Sequence, residues 1–144
     1  MQDNPPNFRK LFVGFDGSPQ VKRAVEVAME LAECVDAEVV VIALEQLPKP
    51  ATMVEVHAVL DDAREHYTAA FEKLVRNAKE HGLDMTTEIG VGHPAEQIIH
   101  RAEAGGIDMV FLGHRRTSRF AKLVVGSISE RVLKYAHCPV MIVN

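Results

Sequence analysis

Short apolar runs alternate with stretches of helical periodicity from one end of the chain to the other. The runs predict five strands, at residues 11–15, 39–44, 85–91, 107–112 and 140–143. Helical periodicity between the runs predicts four crossover helices. This alternation favours a Rossmann-like α/β fold, a single five-stranded parallel sheet with helices on both faces. Such a sheet commonly has the strand order 3-2-1-4-5, which is our prediction for this chain.

Local signals mark where the helices begin and end. Ser18, followed by a proline, predicts the N-cap of the first helix, and Gly82 predicts the end of the second. Ser127 and Glu130 have the spacing of a capping box, with Ser127 as N-cap of the last helix. Residues 54–60 either extend the second helix or form a separate turn, and the pattern leaves both open. The apolar faces expected to be buried are Val21, Ala24, Val25, Ala28, Leu31, Ala32 and Val35 in the first helix, and Ile128, Val132, Leu133 and Ala136 in the last.

Composition indicates an ordinary globular protein. The chain has 144 residues, 47% hydrophobic and 25% charged, which predicts one domain over 1–144 with residues 1–8 as a loose N-terminal arm. The net charge of −4 provides no positive field for nucleic acid or an acidic membrane. No apolar run is long enough for a bilayer, and the first ten residues lack a signal-peptide core. We therefore expect a cytoplasmic protein in which Cys34 and Cys138 are buried thiols, a disulfide being the alternative.

The predicted strand order directs attention to two turns. Strands 1 and 4 lie side by side at the point where the order reverses, and ligands of such sheets bind beyond the carboxyl ends of those strands. Here these ends are residues 16–18 and 113–116. Asp16 would present a carboxylate to ribose hydroxyls or to the edge of a base, although Asp-Gly is also common in simple turns.

The segment from Gly113 to Ser127 has the features of an anion site. Glycines let the main chain approach a ligand closely, and the N-terminus of the last helix adds free amides and partial positive charge. No acidic residue occurs from 109 to 129, whereas the segment contains Arg115, Arg116, Arg119 and Lys122. The alternative is that the glycines serve turns, Ser127 only caps the helix, and the cations are simply solvated.

The sequence resembles the universal stress protein family over nearly the entire chain. The resemblance is carried by LFVGFDGS, AEVVVIALE, VGHPAEQII, IDMVFLG and GSISERVLKYAHCPVMIV. It implies a fold similar to the adenine-nucleotide alpha hydrolases and a regulatory, ATP- or AMP-binding role in stress response, with Mg²⁺ accompanying ATP. It also implies phosphate contacts from Gly113, Gly126 and Ser127, a nucleoside contact from Asp16, and main chain near Ala43 and Leu44 beside the adenine. To these we add Arg115, Arg116 and Ser129 as predicted phosphate contacts and Gly17 as a predicted nucleoside contact.

One position departs from the family pattern. Members that bind ATP have a glycine, two residues, a second glycine, nine residues and then Gly-Ser or Gly-Thr. The spacing is kept here, but the second glycine is Arg116. Its guanidinium would either crowd the triphosphate or form charge-assisted bonds with it, and the sequence leaves the two open. We expect ATP binding to be retained, because Arg115, Arg119 and Lys122 make the same loop cationic.

Other chemistries have less support. The GxxxxGK[ST], HxGH, SGGxDS and HExxH patterns are absent, no nucleophile elbow is present, and no second carboxylate stands near the loop to hold Mg²⁺. The seven histidines read as surface or capping residues, His114 in the loop excepted. We therefore expect a binding protein without a metal site rather than a dedicated enzyme, with slow ATP hydrolysis or an empty interaction module as alternatives.

The last strand suggests how two copies would associate. Val140, Met141, Ile142 and Val143 form an apolar strand without edge-protecting charges. In the family this strand commonly pairs across a two-fold axis, which implies a homodimer. The alternative is that a helix or the N-terminal arm covers it.

Overall fold

A computed structural model describes residues 7–16, 18–47, 51–114 and 127–144. Strands and helices alternate as predicted. Their bounds are β1 Lys10–Phe15, α1 Pro19–Val35, β2 Glu38–Glu45, α2 Met53–Glu80, β3 Met85–Val91, α3 Pro94–Ala104, β4 Met109–Gly113, α4 Ser127–Tyr135 and β5 Val140–Val143.

The five strands form one parallel sheet in the order β3-β2-β1-β4-β5, which confirms the predicted topology. β1 is central, and its Val13 lies between Val41 of β2 and Phe111 of β4. The carboxyl ends of β1 and β4 therefore lie side by side at the point where the strand order reverses.

Two apolar cores cover the two faces of the sheet. One contains Leu11, Val13 and Phe15 of β1 with the inner faces of α1 and α2, and the other contains Phe12 with residues of α3 and α4. Alternate side chains of a strand point to opposite faces, so a strand buried on both faces must be apolar throughout. This is why β1, β2 and β4 read as unbroken apolar runs.

The long helix α2 resolves the question about residues 54–60. Thr52 caps it, because its Oγ1 accepts a hydrogen bond from the amide of Glu55 at 3.2 Å and its hydroxyl donates to the Glu55 carboxylate at 3.1 Å. The helix is thus continuous from Met53. Past its end Gly82 has φ +69°, the left-handed conformation expected of a glycine in that position.

Several predicted positions are wrong in detail. In α4 only Ser129 and Val132 are buried, whereas Ile128 and Leu133 are 40% and 45% exposed. A nine-residue helix on a sheet edge turns only a narrow stripe inward, so its flanking apolar residues stay outside. In α1 the last residue, Val35, is 39% exposed, while Met29, absent from the predicted face, is buried.

The expectation of two buried thiols is also wrong. Cys34 is exposed because it lies on the outer face of α1, and Cys138 is half-buried; both are free. None of the helices in the described ranges is long and apolar enough to cross a bilayer.

Candidate functional site

The turn from β1 to α1 combines a carboxylate with the start of a helix. Asp16 follows the last residue of β1, and its Oδ1 accepts a hydrogen bond from the amide of Ser18 at 2.8 Å. Ser18 in turn caps α1, its Oγ accepting from the amide of Val21 at 3.4 Å. Asp16 is exposed. The turn therefore holds a fixed carboxylate next to the positive end of the α1 dipole.

Gly113 brings the end of β4 against this turn. A methyl group on Gly113 would lie 2.8 Å from Cγ2 of Val21 and 2.9 Å from its backbone nitrogen. Only a residue without a side chain fits there, so the first turn of α1 packs directly on the β4 backbone. This packing explains Gly113 without a ligand, and its phosphate contact remains a prediction.

His114 follows Gly113 and is buried, with 6% of its surface exposed. Its amide donates to the carbonyl of Val143 at 2.8 Å, so this donor belongs to the sheet. Of the other six histidines, His93 at the start of α3 is half-buried, and the remaining five are exposed: His57, His66, His81, His100 and His137. In the described part of the chain, no group of three or more His, Cys, Asp or Glu side chains could hold a metal ion.

The predicted phosphate loop is described only at its two ends. Gly113 ends β4, and Ser127 is the first residue of α4, where Ser129 is 8% exposed. Ser127 is thus the first helical residue of α4, whereas the predicted capping box places it at the flanking N-cap position. Four of the predicted contact residues lie outside the described residues: Arg115, Arg116, Gly126 and, in the first turn, Gly17.

Near the end of β2 the structure brings together Glu45 and Tyr67, two residues that the sequence analysis did not place in the site. Ala43 is fully buried, Leu44 is half-buried, and Glu45 closes the strand. The carboxylate of Glu45 lies close enough to the phenol of Tyr67 on α2 to raise the pKa of that phenol. Tyr67 is 6% exposed, stacked on Phe71 at 5.6 Å and edge-on to Phe15 at 6.0 Å between ring centroids.

The surroundings of Tyr67 place two carboxylates near its hydroxyl. Its pKa is raised to about 12 by burial, which is the largest cause, together with the negative charge and hydrogen bonding of Glu45 and the charge of Asp16. The phenol therefore lies within electrostatic reach of the ends of both β1 and β2. A buried tyrosine needs a partner for its hydroxyl. This requirement could have drawn attention to Tyr67, but it could not have identified Glu45 as the partner.

Known proteins share this architecture. The universal stress protein family model matches residues 7–144. The chain belongs to the universal stress protein family. Universal stress protein MJ0531 of Methanocaldococcus jannaschii is 30% identical over 143 residues, covering 95% of this chain and 82% of that protein.

Solved structures of universal stress proteins have the same fold. UspA from Lactobacillus plantarum superposes with a TM-score of 0.82 at 22% identity, over 96% of this chain and 99% of that one. A universal stress protein in complex with cAMP gives a TM-score of 0.75 at 22% identity, over 96% and 98%. One from Archaeoglobus fulgidus in complex with dAMP gives 0.68 at 18%, over 96% and 99%.

We expect Gly113→Ala to lower the free energy of unfolding by about 1–3 kcal/mol, because the new methyl group would press on the backbone of α1. Gly14→Ala is the matched control. A methyl group there would meet only the side-chain ends of Leu112 and Ile98, at 3.1 and 3.5 Å, which can adjust. Chemical denaturation measures both variants. Equal losses would contradict the close packing of β4 on α1.

A second prediction concerns the Tyr67 phenol. Its raised pKa means that the unfolded chain ionises near the ordinary value of 10.0 while the folded chain keeps its proton until about 12. Stability from this group is therefore lost as pH rises from 10 to 12. In a Tyr135→Phe background Tyr67 is the only tyrosine, so its ionisation can be followed by ultraviolet absorbance. Glu45→Gln should lower the pKa of Tyr67, and an unchanged titration would rule out the contact with Glu45.

Proposed function

We propose that this universal stress protein binds an adenine nucleotide in the crevice between the carboxyl ends of β1 and β4, and that occupancy regulates its own state or its partners. The observation that carries the proposal is the parallel pairing of β1 with β4. It joins the two strand ends at the reversal of strand order, where open α/β sheets bind ligands. A cytoplasmic location and a role in the stress response are parts of the same proposal.

Each strand end would supply one part of the ligand contact. Asp16 and Gly17 would contact the nucleoside, and the main chain at Ala43 and Leu44 would lie beside the base. A carboxylate with two acceptor oxygens suits ribose hydroxyls. The phosphates would lie toward the positive N-terminus of α4, with contacts from Gly113, Arg115, Arg116, Gly126, Ser127 and Ser129.

The relatives support adenine as the base. Two structures of the same fold contain cAMP and dAMP, which share adenine and differ in sugar and phosphate. For this chain we propose ATP or AMP as a ligand rather than a catalytic cofactor, with Mg²⁺ accompanying ATP. The cationic segment after Gly113, with four Arg and Lys residues from 115 to 122, favours the more highly charged nucleotide.

ATP at millimolar concentration should raise the melting temperature, because a ligand that binds only the folded state stabilises it by mass action. Asp16→Ala should weaken ATP binding by about tenfold through loss of a charged hydrogen-bond acceptor. Asp62→Ala, a change of an exposed aspartate on α2, is the control and should leave binding intact. Thermal denaturation measures the melting temperature, and calorimetric titration measures the ATP affinity of the native protein, Asp16→Ala and Asp62→Ala.

The outcomes separate the three functional classes. No shift with ATP or AMP would favour the interaction module without a nucleotide. Binding followed by steady phosphate release would indicate an enzyme. Binding without phosphate release is the result that the regulatory proposal predicts.

We also propose a homodimer formed through β5. This strand is at the edge of the sheet, and the carbonyls of Pro139 and Val143 face β4, where they accept from Val110 and His114. Alternation along the strand turns the backbone groups of Val140 and Ile142 outward. The exposed apolar residues Ile128, Leu133 and Tyr135 of neighbouring α4 add to the surface that a second copy would cover.

Sedimentation at micromolar concentration should therefore show a dimer. Ile142→Pro should give a monomer, since proline removes an outward amide without removing a hydrogen bond to β4. Ile142→Ala, which shortens the same side chain but keeps the amide, should remain largely dimeric. A native monomer, or a dimer unaffected by the proline, would contradict pairing through β5.

A further inference from the structure

The opposite edge of the sheet is formed by β3. It pairs only with β2 among the described strands. The carbonyl of Asp84 and the amide of Gly92 are bonded to β2, to the amide of Val39 and the carbonyl of Glu45, each at 2.9 Å. In a parallel ladder the intervening odd-numbered residues point their backbone groups away from β2. The amides and carbonyls of Thr87 and Ile89 therefore face outward.

A groove flanks this edge on each face of the sheet. On the α2 side a groove of about 670 Å³ is lined by Thr87 and Ile89 together with residues of α2. On the α3 side a groove of about 520 Å³ is lined by Thr86 and Glu88 together with residues of α3 and the starts of β1 and β2. Successive residues of β3 thus line alternate grooves. This is the arrangement needed to accept an added strand, whose side chains also alternate between faces.

The two grooves differ in charge. On the α3 side the charged groups are paired, Arg101 with Glu88 and Lys10 with Glu38. On the α2 side the cations Arg64, Arg76 and Lys79 face one anion, Glu72.

Only Arg64 of these three cations has an ion pair within the described residues, to Asp61 at 3.5 Å. The groove on the α2 side therefore has a positive excess above an apolar floor that includes Phe71 and Val75.

We infer that β3 is a docking edge for an extended acidic segment of a partner protein, which adds as a sixth strand beside β3. Its backbone would bond to the outward groups of Thr87 and Ile89. Alternate carboxylate side chains would reach Arg76 and Lys79. Charge complementarity selects this occupant over a second copy, because two-fold pairing of β3 with itself would bring the same cations together. The inference is independent of the nucleotide crevice, which lies at the strand ends.

The test uses the full chain and a blocked heptapeptide of alternating glutamate and valine, with binding followed by fluorescence anisotropy. The lysine–valine peptide and the glutamate peptide N-methylated at alternate residues are the comparison ligands. We expect the glutamate peptide to bind at least about tenfold more tightly than either, since each comparison removes ion pairs or backbone hydrogen bonds. Equal binding of the three peptides, or no binding of the glutamate peptide, would overturn the inference.

Variants locate the site on the protein. Arg76→Glu with Lys79→Glu should abolish the preference for the acidic peptide, whereas Lys22→Glu, on an exposed position of α1, should not. Thr87→Pro removes an outward amide and should weaken binding, whereas Thr87→Ala keeps it and should not. If Thr87→Pro does not fold, the N-methylated peptide tests the same hydrogen bonds from the other side. Unchanged binding by the double charge reversal would overturn the proposal.

Discussion

Burial of the central strands on both faces is the constraint on which the rest of the structure depends. β1 can be covered by α1 and α2 on one side and by α3 and α4 on the other only if the crossovers divide between the two faces. That division sets the order β3-β2-β1-β4-β5 and brings the ends of β1 and β4 together. At Gly113 the first turn of α1 then touches the β4 backbone. The candidate crevice is thus a consequence of how the core is packed.

Much of this could be predicted because its determinants are local. Unbroken apolar runs identify strands that are buried on both faces of the sheet. Ser18 marks the start of α1 by its capping hydrogen bond, and Gly82 marks the end of α2 by its left-handed backbone conformation. Asp16 and Gly113 followed from the predicted strand order alone. None of these features depends on which side chains contact one another in the folded protein.

The errors and omissions depend on distant contacts. Ile128 and Leu133 have helical spacing, but burial also requires a neighbour on that side, and α4 is a short helix beside the edge strand. Cys34 lies among apolar residues in sequence and on an exposed face in space. The Tyr67–Glu45 contact joins the middle of α2 to the end of β2, so periodicity cannot pair them. At Gly113, likewise, the sequence showed a glycine but not Val21 against it.

Three surfaces follow from one sheet: a crevice at the strand ends, an apolar edge at β5 and a polar edge at β3. They lie at different places, so a nucleotide, a second copy and a partner segment could be present together. The proposed function depends on nucleotide binding in the crevice. Amide NMR spectra recorded during titration with ATP identify the residues that the nucleotide affects. We expect the largest shifts at residues 16–18, 43–45, 113–114 and 127–129. Shifts confined to other elements, or none at saturating nucleotide, would contradict nucleotide binding in the crevice.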